Sequence, residues 1–143
     1  MNRKAFIQAA ILAFSATFTM GAAAQTAAPA KAKVVLQVSD GDAAKWNLAL
    51  NNAKNVQDEL GASKVDIEIV VYGPGIGMLK ADATTSNRII EATASGIQVV
   101  ACENTMAVQK LTKADMNPVI GYVRAGVVQL MNRQREGYAY IRP

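Results

Sequence analysis

Ile97-Gln-Val-Val-Ala-Cys102-Glu-Asn-Thr-Met106 is the stretch from which the rest of the chain is read. Ile97 to Ala101 is β-branched and apolar apart from Gln98 and is entered from Gly96, as expected of a short buried strand. Asn104 has the chemistry of a helix N-cap, which predicts a helix over Thr105 to Leu111. Cys102 then stands at the carboxyl end of a strand, just before a helix N-terminus. In open α/β sheets ligands bind at that edge. The partial positive charge of a helix start favours thiolate over thiol. Cys102 is the only cysteine, and the chain has no histidine. Two readings of Cys102 follow: a nucleophile at the ligand edge, or a small buried core residue.

Outward from this stretch, strands and helices alternate. Val34–Ser39 reads as a first strand, followed by the Asp40-Gly41-Asp42 turn, with Asp42 capping a helix from Ala43 to Leu60 that Gly61 ends. Trp46, Ala49, Leu50, Ala53, Val56 and Leu60 share one face, as packing on a sheet requires. Asn47, Asn51 and Asn55 recur at a spacing of four on another face. Asparagine is a poor helix former, so the row is either a solvated face or a polar contact with another subunit.

Val65–Tyr72 is a second strand, running into Gly73-Pro-Gly-Ile-Gly77. Gly73, Gly75 and Gly77 fit a loop whose backbone N–H groups approach an anionic ligand, or simply a tight turn needing positive φ. The spacing matches neither a P-loop nor a dinucleotide fingerprint, and no cofactor is implied. Thr85 or Ser86 caps a helix that runs to Ser95. After the central stretch, Thr112 to Asp115 has capping-box spacing, Asn117-Pro118 is a break, and Val119–Val123 is a fourth strand. Arg124 follows it, then a helix from Val127 to Glu136 and a last strand from Tyr138 to Ile141. The alternation predicts an α/β fold with a parallel sheet covered on both faces. Right-handed crossovers place Asp40, the glycine loop, Cys102 and Arg124 on one edge, which makes them, with Asn104 and Thr105, the candidate binding residues.

The first 24 residues combine Arg3 and Lys4 with a long uncharged run and small residues at Gly21–Ala24, the pattern of a cleaved secretory signal. An uncleaved anchor is the alternative. Residues 25–33 form a lead-in to a single domain over 34–143, with a periplasmic or secreted location expected. Loss of Arg3 and Lys4 leaves 13 basic residues against 11 acidic. The charges are scattered, with no footprint for nucleic acid. Without histidine, His-based triads and His-liganded zinc are absent, and a lone cysteine is unlike a dithiol oxidoreductase. Soft-metal binding by Cys102 with Met78 and Met106 is a minor reading.

The chain resembles the DsrE/DsrF-like family, in particular its small exported members. The resemblance is carried by Trp46-Asn-Leu-Ala-Leu-Asn-Asn-Ala-Lys-Asn55, Tyr72-Gly-Pro-Gly-Ile-Gly-Met-Leu-Lys80, Cys102-Glu-Asn-Thr-Met106, Ala125-Gly-Val-Val-Gln-Leu-Met131 and Gly137-Tyr-Ala-Tyr-Ile-Arg-Pro143. It implies a three-layer α/β/α sandwich on a five-stranded, mainly parallel sheet, with the fourth strand beside the third and Arg124 near Cys102. It also implies a homo-oligomer (trimer, dimer or hexamer). Relatives carry sulfur as a persulfide on a cysteine after the third strand, which Cys102 matches by position. The functional expectation is a sulfur carrier that uses Cys102 with an unidentified sulfur donor or acceptor. The alternative is a small-ligand-binding module with Cys102 lining its pocket.

Overall fold

A computed structural model describes residues 30–143. The expected signal segment and most of the lead-in lie outside the described residues. Five strands, β1 (Ala32–Val38), β2 (Val65–Val71), β3 (Gln98–Cys102), β4 (Gly121–Val123) and β5 (Ala139–Ile141), form one sheet in the order β4-β3-β2-β1-β5. Every neighbouring pair is parallel. Four α-helices connect them: α1 (Ala43–Leu60), α2 (Ser86–Ala94), α3 (Glu103–Val108) and α4 (Gly126–Arg135). Ala32 and Lys33, read from sequence as lead-in, belong to β1, where they pair with Val65 and Asp66.

The pleat sorts the apolar residues into two cores. Val34, Leu36, Val38, Ile67, Ile69, Val71, Val99 and Ala101 face α1 and α2 in the larger one. Val35, Val70 and Val100 face α4 and its Leu130 in the smaller one. Burial on both faces is why the strand sequences are almost continuously apolar. The β1-to-β4 half of the chain keeps its helices on the first face. The β4–α4–β5 crossover returns over the second face to the far edge, and both directions satisfy the right-handed rule.

The ends of α1 form as read. Asp42 Oδ1 accepts the Ala44 N–H at 2.8 Å, and Gly61, at φ 92°, closes the helix. Leu60 departs from the expected apolar stripe and is exposed. The asparagine row has an internal partner. Arg88 of α2 donates to Asn47 Oδ1 at 2.5 Å and to Asn51 Oδ1 at 2.6 Å, tying α2 to α1 within one chain. Asn55 stays exposed. Thr85 takes the N-cap position of α2, yet its hydroxyl donates to Met78 O at 2.8 Å rather than capping the helix.

Asn117, read as part of a break, is fully buried and acts as a bracket. Its amide donates to Ser86 O and Oγ, its Oδ1 accepts from Val119 N–H, and its own N–H reaches Leu79 O. Holding Val119 in this bracket shortens β4 to begin at Gly121 rather than Val119. The sequence reading also passed over Glu68, a 2% exposed carboxylate in the middle of β2. Its place on the α4 face brings it against Arg133 Nε at 2.6 Å and Gln129 Nε2 at 2.9 and 3.0 Å.

Candidate functional site

β3 and β4 are adjacent, but their following helices lie on opposite faces of the sheet. The crevice between their carboxyl ends is therefore the topological switch point, where open α/β sheets bind ligands. Cys102 ends β3 and pairs with Val123, the last residue of β4. Arg124 follows immediately.

The helix after Cys102 starts earlier than expected. Cys102 itself is the N-cap of α3, which covers Glu103–Val108 rather than Thr105–Leu111, and Asn104 lies inside the first turn. The reason is tertiary. The Asn104 N–H donates to Arg124 O across the crevice at 3.1 Å, so the β4–α4 connection supplies an acceptor of the kind a local cap would have provided. Arg124 thus meets Cys102 through its backbone: the thiol donates to Arg124 O at 3.8 Å. The Arg124 side chain is exposed and makes no salt bridge among the described residues.

Cys102 is 5% exposed. Burial alone raises a thiol's pKa. Here the Thr105 hydroxyl and the N–H groups of Gly126, Thr105 and Asn104 oppose it, and together they bring the Cys102 pKa below the usual thiol value. Gly126 opens α4 against Tyr72. A Cβ on Gly126 would lie 2.9 Å from the tyrosine Cδ1, so only glycine brings the start of α4 this close. Burial raises the pKa of Tyr72 itself. Sequence reading did not assign Tyr72, Gly126 or Gln109 to the site. A glycine opening a helix after a strand was the available signal.

The glycine segment is a 3-10 helix, Gly73–Leu79. Gly73, at φ 55°, donates its N–H to Thr105 Oγ1 at 2.9 Å and accepts from Gln109 Nε2 at 3.2 Å. The Gly75 N–H is bonded to Ser39 O and Tyr72 O, both at 3.2 Å. Two of the N–H groups expected to face a ligand are therefore engaged inside the fold. A Cβ on Gly75 would sit 2.7 Å from Val38 O, so packing requires that glycine, while one on Gly77 would sit 3.2 Å from the Trp46 ring, a tight contact with a side chain. Asp40 lies at the end of β1, two strands from β3. It is paired with Lys45 at 3.3 Å and Arg142 at 3.6 Å, and its carbonyl accepts the Trp46 indole N–H at 2.6 Å. The structure thus brings together Cys102, Asn104, Thr105, Gly73 and the Arg124 backbone, while Asp40, Gly75 and Gly77 belong to the neighbouring β1 end. Met78 and Met106 pack in the larger core, whereas strand alternation directs Cys102 to the other face with Val100. Among the described residues no three His, Cys, Asp or Glu side chains converge on a metal position. No helix among them is long and apolar enough to cross a membrane.

The DsrE/DsrF-like family matches residues 32–143, and the chain belongs to that family. A protein of unknown function from Methanobacterium thermoautotrophicum has a similar solved structure. It is 32% identical, with a TM-score of 0.76 over 79% of this chain and 100% of that one. A conserved protein of unknown function from Bacteroides thetaiotaomicron shares the fold at 18% identity and TM-score 0.64, covering 78% of this chain and 94% of its own. The ychN protein of E. coli shares it at 10% identity and TM-score 0.63, covering 80% and 99%. No curated protein matches the sequence.

Proposed function

We propose that this protein is an exported sulfur acceptor in which Cys102 takes up sulfane sulfur as a persulfide. The observation that carries the reading is the position of the only cysteine, the N-cap of α3 at the switch point, among donors that favour its thiolate. Family membership supports sulfur handling in general terms. The Cys102 thiolate attacks the outer sulfur of thiosulfate or of a donor persulfide. A new S–S bond forms at Sγ, the donor's own S–S bond breaks, and sulfite or a thiolate leaves with the bonding electron pair. The transferred sulfur is already at the sulfane oxidation level, so no separate oxidant enters. The Arg124 side chain, exposed and without a salt bridge among the described residues, suits an anionic donor.

Intact mass of the mature protein before and after incubation with thiosulfate or polysulfide tests this, with Cys102→Ser alongside. The expected result is a gain of one sulfur at Cys102 that a reductant reverses. No gain, together with a thiol inert to alkylation until the protein unfolds, overturns it.

The burial of Cys102 favours a second reading, a small-ligand-binding module in which Cys102 only lines the site. A ligand-dependent rise in melting temperature that survives Cys102→Ser would support this one. In both readings the protein assembles with copies of itself through the outer face of α4, where Val127, Val128 and Met131 are about half exposed. Sedimentation of wild type against Val128→Glu tests the contact. The leader motivates the exported location, which amino-terminal sequencing of the mature protein checks.

A further inference from the structure

The last row of side chains on the α4 face of the sheet extends well beyond Cys102. Val38 pairs with Val71 and Val71 with Ala101, so the next residues, Ser39, Tyr72 and Cys102, stand side by side. Leu36 pairs with Ile141, which sets Arg142 beside Gln37 on that same face. A directed hydrogen-bond chain fixes the β5 end of the row. The Tyr140 hydroxyl donates to Gln37 Oε1 at 2.6 Å, and Gln37 Nε2 donates to Ser39 Oγ at 3.0 Å. Gln37 is 8% exposed, so the chain is held from inside the fold, and the Ser39 hydroxyl keeps its proton to give. Above this chain two cations crowd one carboxylate oxygen. Lys45 Nζ at 3.3 Å and Arg142 Nη2 at 3.6 Å both approach Asp40 Oδ2. Two cations against one carboxylate leave the cluster positive, and such partly exposed pairs are weak. A separation of 3.6 Å is too long for a hydrogen bond, so the Arg142 fork is not spent on Asp40. Arg88 and Arg133 differ, since Asn47 and Asn51 engage the first and Glu68 and Glu136 the second.

We propose that Arg142 and Lys45 form a carboxylate subsite at the carboxyl ends of β1 and β5, and that the sulfur donor is an organic persulfide whose carboxylate sits there while its outer sulfur meets Cys102. The sheet edge where ligands bind carries both ends of this path. Three strand spacings separate β5 from β3, roughly 14 Å. Thiosulfate is too short to touch both ends. A peptide-like thiol persulfide, with a carboxylate many bonds from its sulfur, spans them across Ser39 and Tyr72. A guanidinium fork matches a carboxylate in two parallel hydrogen bonds. Burial raises the Tyr72 pKa, Tyr140 adds to the rise and the Arg142 charge draws it down, which agrees with a guanidinium reaching over the row toward Tyr72. Asp40, expected from sequence to bind a ligand itself, instead brackets the two cations that do. In the transfer the Cys102 thiolate bonds to the outer sulfur, which keeps its proton. The donor's S–S bond breaks, and the organic thiolate leaves with the electron pair, so no oxidant enters.

The inference deepens the sulfur-acceptor reading and rests on it only for the transfer step. Its test moves no sulfur, so it fails or stands apart from the mass assay at Cys102. Isothermal titration calorimetry of the mature protein uses S-methylglutathione, an unreactive thioether with free carboxylates, beside its diethyl ester and acetate. S-methylglutathione is expected to bind wild type and to bind Arg142→Gln roughly tenfold more weakly, the weight of hydrogen bonds to an ionised group. The diethyl ester is expected to bind wild type more weakly by a similar factor and not to distinguish the two proteins. Lys45→Gln is expected to weaken S-methylglutathione in the same direction, and it serves alone if Arg142→Gln prevents folding. No binding of S-methylglutathione by wild type overturns the inference, as does equal binding by wild type and the folded variants. Acetate bound as tightly as S-methylglutathione also overturns it, because the subsite would then take any carboxylate without the reach to Cys102.

Discussion

Arg133→Ala isolates the buried carboxylate under α4. Glu68 is 2% exposed, and Arg133 holds it through Nε at 2.6 Å and Nη2 at 3.3 Å, with Gln129 donating to both oxygens. Arg133 also bridges to Glu136 at 2.7 Å and lies over the Tyr138 ring, 5.1 Å from its centroid. Its own pKa is raised, chiefly by the hydrogen bond to Glu68, so it remains charged throughout any working pH. Truncating it leaves a buried carboxylate with one neutral partner, which costs about 3–5 kcal/mol. For a domain of this size that is a fall in melting temperature of roughly 10–20 °C. The pair itself is a different matter, because its desolvation cost offsets much of its attraction. Replacing Glu68, Gln129 and Arg133 together by leucine should cost no more than about 1–2 kcal/mol. Urea unfolding followed by fluorescence of Trp46, the only tryptophan, measures both variants. An Arg133→Ala cost below about 1 kcal/mol would refute the reasoning. So would a triple variant as unstable as the single one, because stability would then depend on the charges themselves.

Four further outcomes are expected. Gly75→Ala puts a Cβ 2.7 Å from Val38 O, a backbone atom that has no room to yield, and should cost about 1–3 kcal/mol or more in the same urea assay. Gly77→Ala meets only the Trp46 ring edge at 3.2 Å and should be milder, with a shifted Trp46 emission. Asn117→Ala removes a fully buried amide and leaves the Val119 N–H without its acceptor, with a loss of about 1–3 kcal/mol. The last concerns pH. Cys102 has a lower pKa folded than unfolded, so its ionisation adds stability above the ordinary thiol value of about 8.5. That contribution disappears as pH falls through the folded pKa. The stability of wild type relative to Cys102→Ser should therefore rise across this window and be flat below it, and parallel slopes would exclude a depressed pKa.

Much of the fold was legible because its causes are local. Apolar runs with β-branched residues marked β1, β2 and β3, and the one-sided face of α1 marked a helix on a sheet. Asp42 and Gly61 close α1 through contacts within four residues, and Thr112 with Asp115 forms the expected capping box around a single 3-10 turn. Such devices work through nearby backbone groups, so sequence neighbours are enough to recognise them. The switch-point edge was legible too, because alternation and crossover handedness leave little choice of topology.

What sequence alone could not assign depends on partners far along the chain. Asn104 is a good cap by residue type, but a carbonyl 20 positions away at Arg124 engages its N–H, and the helix begins at Cys102 instead. Asn47 and Asn51 meet Arg88, and Glu68 meets Arg133 on a helix from the far side of the sheet. Cys102 was identifiable by its place in the chain, yet its thiol meets the carbonyl of Arg124, 22 positions further on, at the start of the β4–α4 connection. Local sequence determined which segments became strands and helices, because backbone dihedral preferences and caps act over a few residues. Tertiary structure decided which polar groups share the interior, because a buried donor or acceptor takes whatever partner the packing brings within about 3 Å, at any separation in sequence.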